Sequence, residues 1–207
     1  NPRRMTLSEA SDEADKALSK PVERQIPKVK VPGDGDCFFH SVAFWVKASA
    51  IERQGYFDDP NKTYGTTQTE LQNTAAVRLE IANWLAKQIY NVNRADQIVA
   101  QPLTEIGQKY LNTWNLLTNN GADTSHFGAS MADTVRDMPD NNATRQQTGK
   151  EAIWGDAGFL WRAVNALYNV RLYVHHGGRQ PQVFGDAGAA AHIIHSGAHY
   201  DALNPNG

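Results

Sequence analysis

The apolar residues of this chain recur at two different periods, and the change from one to the other limits the folds open to it. Between residues 67 and 90, Leu71, Ala75, Leu79, Ala82, Leu85 and Ile89 follow at steps of three and four, the spacing that aligns side chains on one face of an α-helix. Thr67 and Glu70 have the spacing of a capping box, which starts that helix. From residue 170 onward the pattern alternates instead. Residues 170–174, 181–184, 191–195 and 199–203 read as short strands separated by glycine-bearing turns. Helices first and strands last predict an α+β fold, a small central β-sheet packed against helices.

The remaining segments fit around that frame. At 207 residues the chain suits one main core. Residues 1–28 carry one short helical segment, 7–18, and read as an N-terminal arm, leaving 29–207 as the folded domain. Residues 29–31 alternate and stop at Pro32-Gly33, as a short strand entering a turn does. The glycine-centred loop Asp34-Gly35-Asp36 follows, and residues 37–46 have the apolar density of a buried helix beginning at Cys37. Residues 47–151 read as an enlarged helical lobe: helix over 67–90, a stretch over 94–117 interrupted at Pro102, a short helix over 131–138, and a polar loop over 139–149. Asp156 caps a further helix with Leu160, Ala163, Val164 and Leu167 on its apolar face, closed by Asn169.

Composition removes several functions. Twenty Lys+Arg against 22 Asp+Glu leave a formal charge of −2, without the basic excess that phosphate binding demands, so nucleic acid is not an expected partner. The single cysteine, Cys37, excludes an internal disulfide and a cysteine-rich metal site. No window approaches 18 uninterrupted apolar residues, so no membrane span is expected. The first residue, Asn1, suggests a trimmed or processed chain.

A lone cysteine is more often a small buried hydrophobe than a nucleophile, but the neighbours of Cys37 favour chemistry. Gly33 and Gly35 let the backbone turn so that successive N–H groups point into one spot just before a helix, where thiolate and oxyanion are both stabilised. A thiolate also needs a base held by a third group. Of the seven histidines, His199 has Asp201 two residues on, and in a strand these two side chains share a face. A metal cluster from His192, His195 and His199, or from His175-His176, is poorly served, because residues 192 and 195, like adjacent residues, point to opposite faces. The five tryptophans fall on or beside helices and read as core.

Three ordered blocks carry a family resemblance. Asp34-Gly35-Asp36-Cys37-Phe38-Phe39 resembles the cysteine box of the ovarian tumour (OTU) family of deubiquitinating cysteine proteases. Trp154-Gly155-Asp156 before a helix and strand resembles its Trp-Gly segment, and Ala191-His192-Ile193-Ile194 followed by Gly197-Ala198-His199-Tyr200-Asp201 resembles its terminal strands with the catalytic histidine. Asp36 departs from the family's usual Asn and adds a negative charge beside the thiol. The long segment 47–151 looks more like bacterial effector or divergent members than compact ones.

The resemblance implies a papain-like OTU fold with Cys37 as nucleophile, His199 as general base and then acid, Asp201 as the orienting carboxylate, and Asp34 as an alternative or auxiliary acid. The backbone N–H groups of Gly35, Asp36 and Cys37 would form the oxyanion hole. It implies a monomer without cofactor or metal whose partners are ubiquitin and polyubiquitin chains, working in the cytosol, or in a host's cytosol for a secreted effector. Two alternatives stay open: an inactive ubiquitin-binding module of the same fold, and a papain-like peptidase acting on another ubiquitin-like protein.

Overall fold

The structure, a computed structural model, describes residues 27–99, 102–119 and 126–206; the helical segment expected over 7–18 lies outside them. Among the described residues it is a mixed α+β fold built on an open five-stranded sheet in the order β1-β5-β4-β2-β3. The strands are β1 (Lys28–Val29), β2 (Val170–His175), β3 (Gln182–Phe184), β4 (Ala189–Ser196) and β5 (His199–Leu203). β4 runs parallel to β2, with Tyr173 opposite His192; the other neighbours are antiparallel, with Ser196 opposite His199 and Val29 opposite Ala202.

The helices are α1 (Cys37–Val46), α2 (Ala50–Asp58), α3 (Gln68–Tyr90), α4 (Glu105–Asn119), α5 (Met131–Asp137), α6 (Asn142–Gln147) and α7 (Ala157–Tyr168), with a 3₁₀ turn at Ala95–Gln97. α1 is the centre of the molecule. Every residue from Cys37 to Phe44 is buried, because α3 covers one side of the helix and β5 the other. One apolar cluster joins Val29, Phe38, Ile81, Val135, Leu160 and Ala202, so the segment 47–151 packs into the same core as the sheet.

Four expectations need correction. The long helix begins at its capping box, with the Thr67 side chain accepting from Glu70 N–H, and ends at Asn91 in the left-handed conformation. Its inward face matches the apolar spacing at Ala82, Leu85 and Ile89, all fully buried, but departs from it in the first half: Leu71 and Leu79 are each 48% exposed, while Glu70, Thr74 and Arg78 point inward with Val77 and Ile81. The inward charges are all satisfied, so the cost of burying them is met by partners that periodicity does not reveal. Glu70 accepts from the N–H groups of Gly65, Thr66 and Thr67 and from the Tyr56 hydroxyl.

The polar stretch 139–149 contains α6, capped by Asn141, and Arg145 there is buried against the Glu151 carbonyl (2.6 Å) and Asp137 (2.9 Å). The first strand is shorter than expected. The sheet takes up Lys28 and Val29, Lys30 forms a lone bridge to Thr63, and Val31 N–H leaves the ladder for the Asp201 carboxylate. On α7, Leu160, Ala163 and Val164 are buried, while Leu167 is 37% exposed.

Candidate active site

The loop 33–36 delivers Cys37 to the first turn of α1, and β5 delivers His199 and Asp201 to the same place. Gly35 adopts φ +89°, a conformation that favours glycine, and a Cβ there would sit 3.1 Å from both Ala152 and the Trp154 indole nitrogen. Trp154-Gly155 packs against the cysteine box at both Gly35 and Phe38. Gly155 lies so close to Phe38 that a Cβ would fall 2.3 Å from the ring. The Asp156 side chain then caps α7 through Phe159 N–H at 3.1 Å.

Cys37 is 7% exposed, and its sulfur accepts from the Tyr200 backbone N–H at 3.5 Å. Tyr200 is flanked in sequence by His199 and Asp201, so the thiol meets β5 between the two expected partners. His199 Nε2 is 2.9 Å from Asp201 Oδ1. A carboxylate only accepts, so Nε2 carries the hydrogen and the Nδ1 lone pair is left for a proton. Gly33 lies against that edge of the ring; a Cβ on it would be 3.6 Å from Nδ1. Among the described contacts none joins Cys37 directly to His199. Burial pushes the Cys37 thiol up from its ordinary value, and the Asp34 and Asp201 charges add to that against the Tyr200 N–H.

Asp34 does not touch His199. Its Oδ1 accepts from Asp36 N–H at 3.0 Å and stands 3.5 Å from His40 Nε2, too far for a good hydrogen bond. Burial opposes the Asp34 charge, but His40 and the Asp36 N–H outweigh it and hold the carboxyl below its usual range. Asp34 therefore organises the loop, and the expected oxyanion donor Asp36 N–H is occupied by it in this arrangement. His40, fully buried on α1, is fixed from behind by Thr74 Oγ1 at 2.7 Å. Gly65, at φ +102°, makes room for the ring.

Asp36 holds the N-cap position of α1 without capping it. The first-turn N–H groups beside Cys37 are thus free of a side-chain cap, the condition for an anion site. The carboxylate is drawn instead to Arg78, whose side chain is 0% exposed. Arg78 Nε donates to Asp36 Oδ1 at 2.7 Å and Nη2 closes on the same oxygen. Nη1 donates to Met138 O (2.9 Å), Nη2 also to Ile153 O (2.9 Å) and Gly35 O (3.2 Å), and the guanidinium lies 4.0 Å from the Phe39 ring centroid. The charge that Asp36 adds beside the thiol is therefore cancelled by a cation from the middle of the long helix. Sequence reasoning missed Arg78 because one arginine among apolar helix positions carries no motif.

Among the described residues, the other sheet histidines pair with neighbours of their own. His175 Nε2 and His192 Nδ1 are 3.0 Å apart, with Tyr173 stacked on His192, while His195 stacks on Tyr200. Asp34, Asp36 and His40 do bring ligand atoms within 4.8 Å of one another, but Arg78 already neutralises Asp36. Among the described residues no helix is long and apolar enough to cross a membrane. No protein-family model matches the chain, and no curated protein matches its sequence.

Proposed function

We propose that the protein is a deubiquitinating cysteine protease of OTU type, hydrolysing the bond after the C-terminal glycine of ubiquitin. The observation that carries this reading is the meeting of α1 and β5. The only cysteine, at an uncapped helix N-terminus, accepts the N–H of the residue between His199 and Asp201. The order of the three resembling blocks along the chain supports the substrate class.

In the proposed reaction His199 Nδ1 takes the Cys37 proton and the sulfur attacks the glycine carbonyl. The negative oxygen is held by N–H groups at the start of α1, each such donor being worth about 3 kcal/mol in the barrier. The tetrahedral species collapses to a thioester as His199 returns the proton to the departing lysine amine, and water activated by the same ring hydrolyses the thioester. Asp201 keeps the Nε2–H in place and stabilises the imidazolium.

A second reading, a ubiquitin-binding module that does not cleave, is favoured by the burial of Cys37 and the upward push on its thiol. A panel of defined diubiquitins separates the two. Cleavage of at least one linkage, lost in Cys37→Ala, is the expected result. Binding of diubiquitin without cleavage overturns the protease reading.

A further inference from the structure

We propose that Arg78 is a positioning residue for Cys37: it cancels the Asp36 charge beside the thiol and turns the peptide between Gly35 and Asp36 so that its N–H points away from α3. The inference rests on Cys37 as the reactive group and not on what its substrate is.

Asp36 immediately precedes Cys37 and is 5% exposed, so its charge is poorly screened and, uncompensated, opposes thiolate formation. Arg78 supplies the compensation from within the core. Its three nitrogens reach four acceptors contributed by three separate stretches of chain, the cysteine loop, the end of α5 and Ile153 in the segment before α7. A lysine, with a single ammonium, cannot span this set.

The contact to Gly35 O has a geometric consequence. No peptide in the described chain is cis, and in a planar trans peptide the carbonyl and the following N–H point in opposite directions. Drawing the Gly35 carbonyl toward Arg78 therefore sends the Asp36 N–H the other way, where it meets Asp34 Oδ1. The same guanidinium that neutralises the loop thus sets which way a prospective oxyanion donor faces.

The test uses the chain's one cysteine. The pH profile of iodoacetamide alkylation reports the Cys37 thiol alone, and the charged or titratable groups around it are Asp34 and Asp36 in the loop, Asp201 and Tyr200 on β5, and Arg78 on α3. Asp36→Asn leaves a buried cation and is expected to lower the alkylation midpoint by about one pH unit; Arg78→Gln leaves a buried anion and is expected to raise it by about as much. The double variant returns close to wild type, and Arg78→Lys falls between Arg78→Gln and wild type.

A purely structural arginine gives shifts of one sign in both single variants, or none, and either result overturns the proposal. If Arg78→Gln does not fold, Asp36→Asn decides alone: an unmoved or raised midpoint overturns the proposal. Opposite shifts in a protein that cleaves no ubiquitin substrate leave this inference standing and remove the substrate reading; cleavage without the shifts does the reverse.

Discussion

His199 and Asp201 form a pair whose carboxylate is held from two directions: Asp201 Oδ1 lies 2.9 Å from His199 Nε2 and also accepts the Val31 N–H at 3.0 Å. The Asp201 side chain is 13% exposed and that of His199 34%, so the carboxylate is seated and the imidazole is reachable. The strand spacing i, i+2 puts both on one face of β5, and the departure of Val31 from the sheet ladder fixes the carboxylate between them.

On the proposed mechanism the base is irreplaceable while the orienting function is partly shared. His199→Ala is expected to lower kcat/KM on a ubiquitin substrate by about 10²–10⁴-fold, the usual worth of a general base. Asp201→Ala and Asp34→Ala are expected to cost clearly less. Steady-state kinetics of the three variants check this, and a His199→Ala variant as fast as wild type contradicts the assignment.

The close approach of Gly155 to Phe38 predicts a sharp steric penalty. In Gly155→Ala the new methyl would fall within the Phe38 ring's contact radius, and that ring is fully buried against Phe39 and Tyr200. Destabilisation of about 1–3 kcal/mol by denaturant titration is expected, the range for overpacking a filled core. An unchanged midpoint would mean that the Trp154-Gly155 segment is not pressed onto the cysteine box.

Acid should destabilise the fold through the sheet histidines. Burial, with His175 nearby, pulls His192 down to about 4 from an ordinary 6.5, and burial likewise lowers His175 and His195. Because these folded-state values lie below the unfolded ones, the unfolded chain binds more protons across the interval. Stability present above pH 6.5 is then lost as pH falls toward about 4. Thermal melts between pH 7 and 4 should show Tm falling, with a shallower slope in His192→Gln. An equal slope in that variant counts against His192 as a contributor.

How much of this was legible in the sequence depended on whether a signal was local. Thr67 with Glu70, Asp156 and Asn169 marked the ends of α3 and α7 where the structure has them, because caps are made within one turn. The four C-terminal strands followed from alternation. α2 escaped notice although Ser49 and Glu52 form a capping box, since its apolar content is low and only Tyr56 is buried. α6 was hidden for the same reason.

The inward face of α3 was misjudged where Glu70 and Arg78 are buried. Their partners lie in other segments: Asp36, Met138 and Ile153 are 42, 60 and 75 residues from Arg78. Only the folded chain brings them together, and removing one side of such a buried pair typically costs about 3–5 kcal/mol. Residue chemistry and order singled out Cys37, His199 and Asp201 as candidates, and the fold brings β5 to the start of α1; the role of Asp34 as a loop organiser required its contacts with Asp36 and His40.

The most direct measurement is intact-mass analysis after mixing the protein with ubiquitin bearing a C-terminal electrophile. The account predicts one added ubiquitin on wild type, mapped to Cys37, with no addition to Cys37→Ala and much slower addition to His199→Ala. Wild-type protein that gains no mass under conditions where it binds ubiquitin would contradict the account.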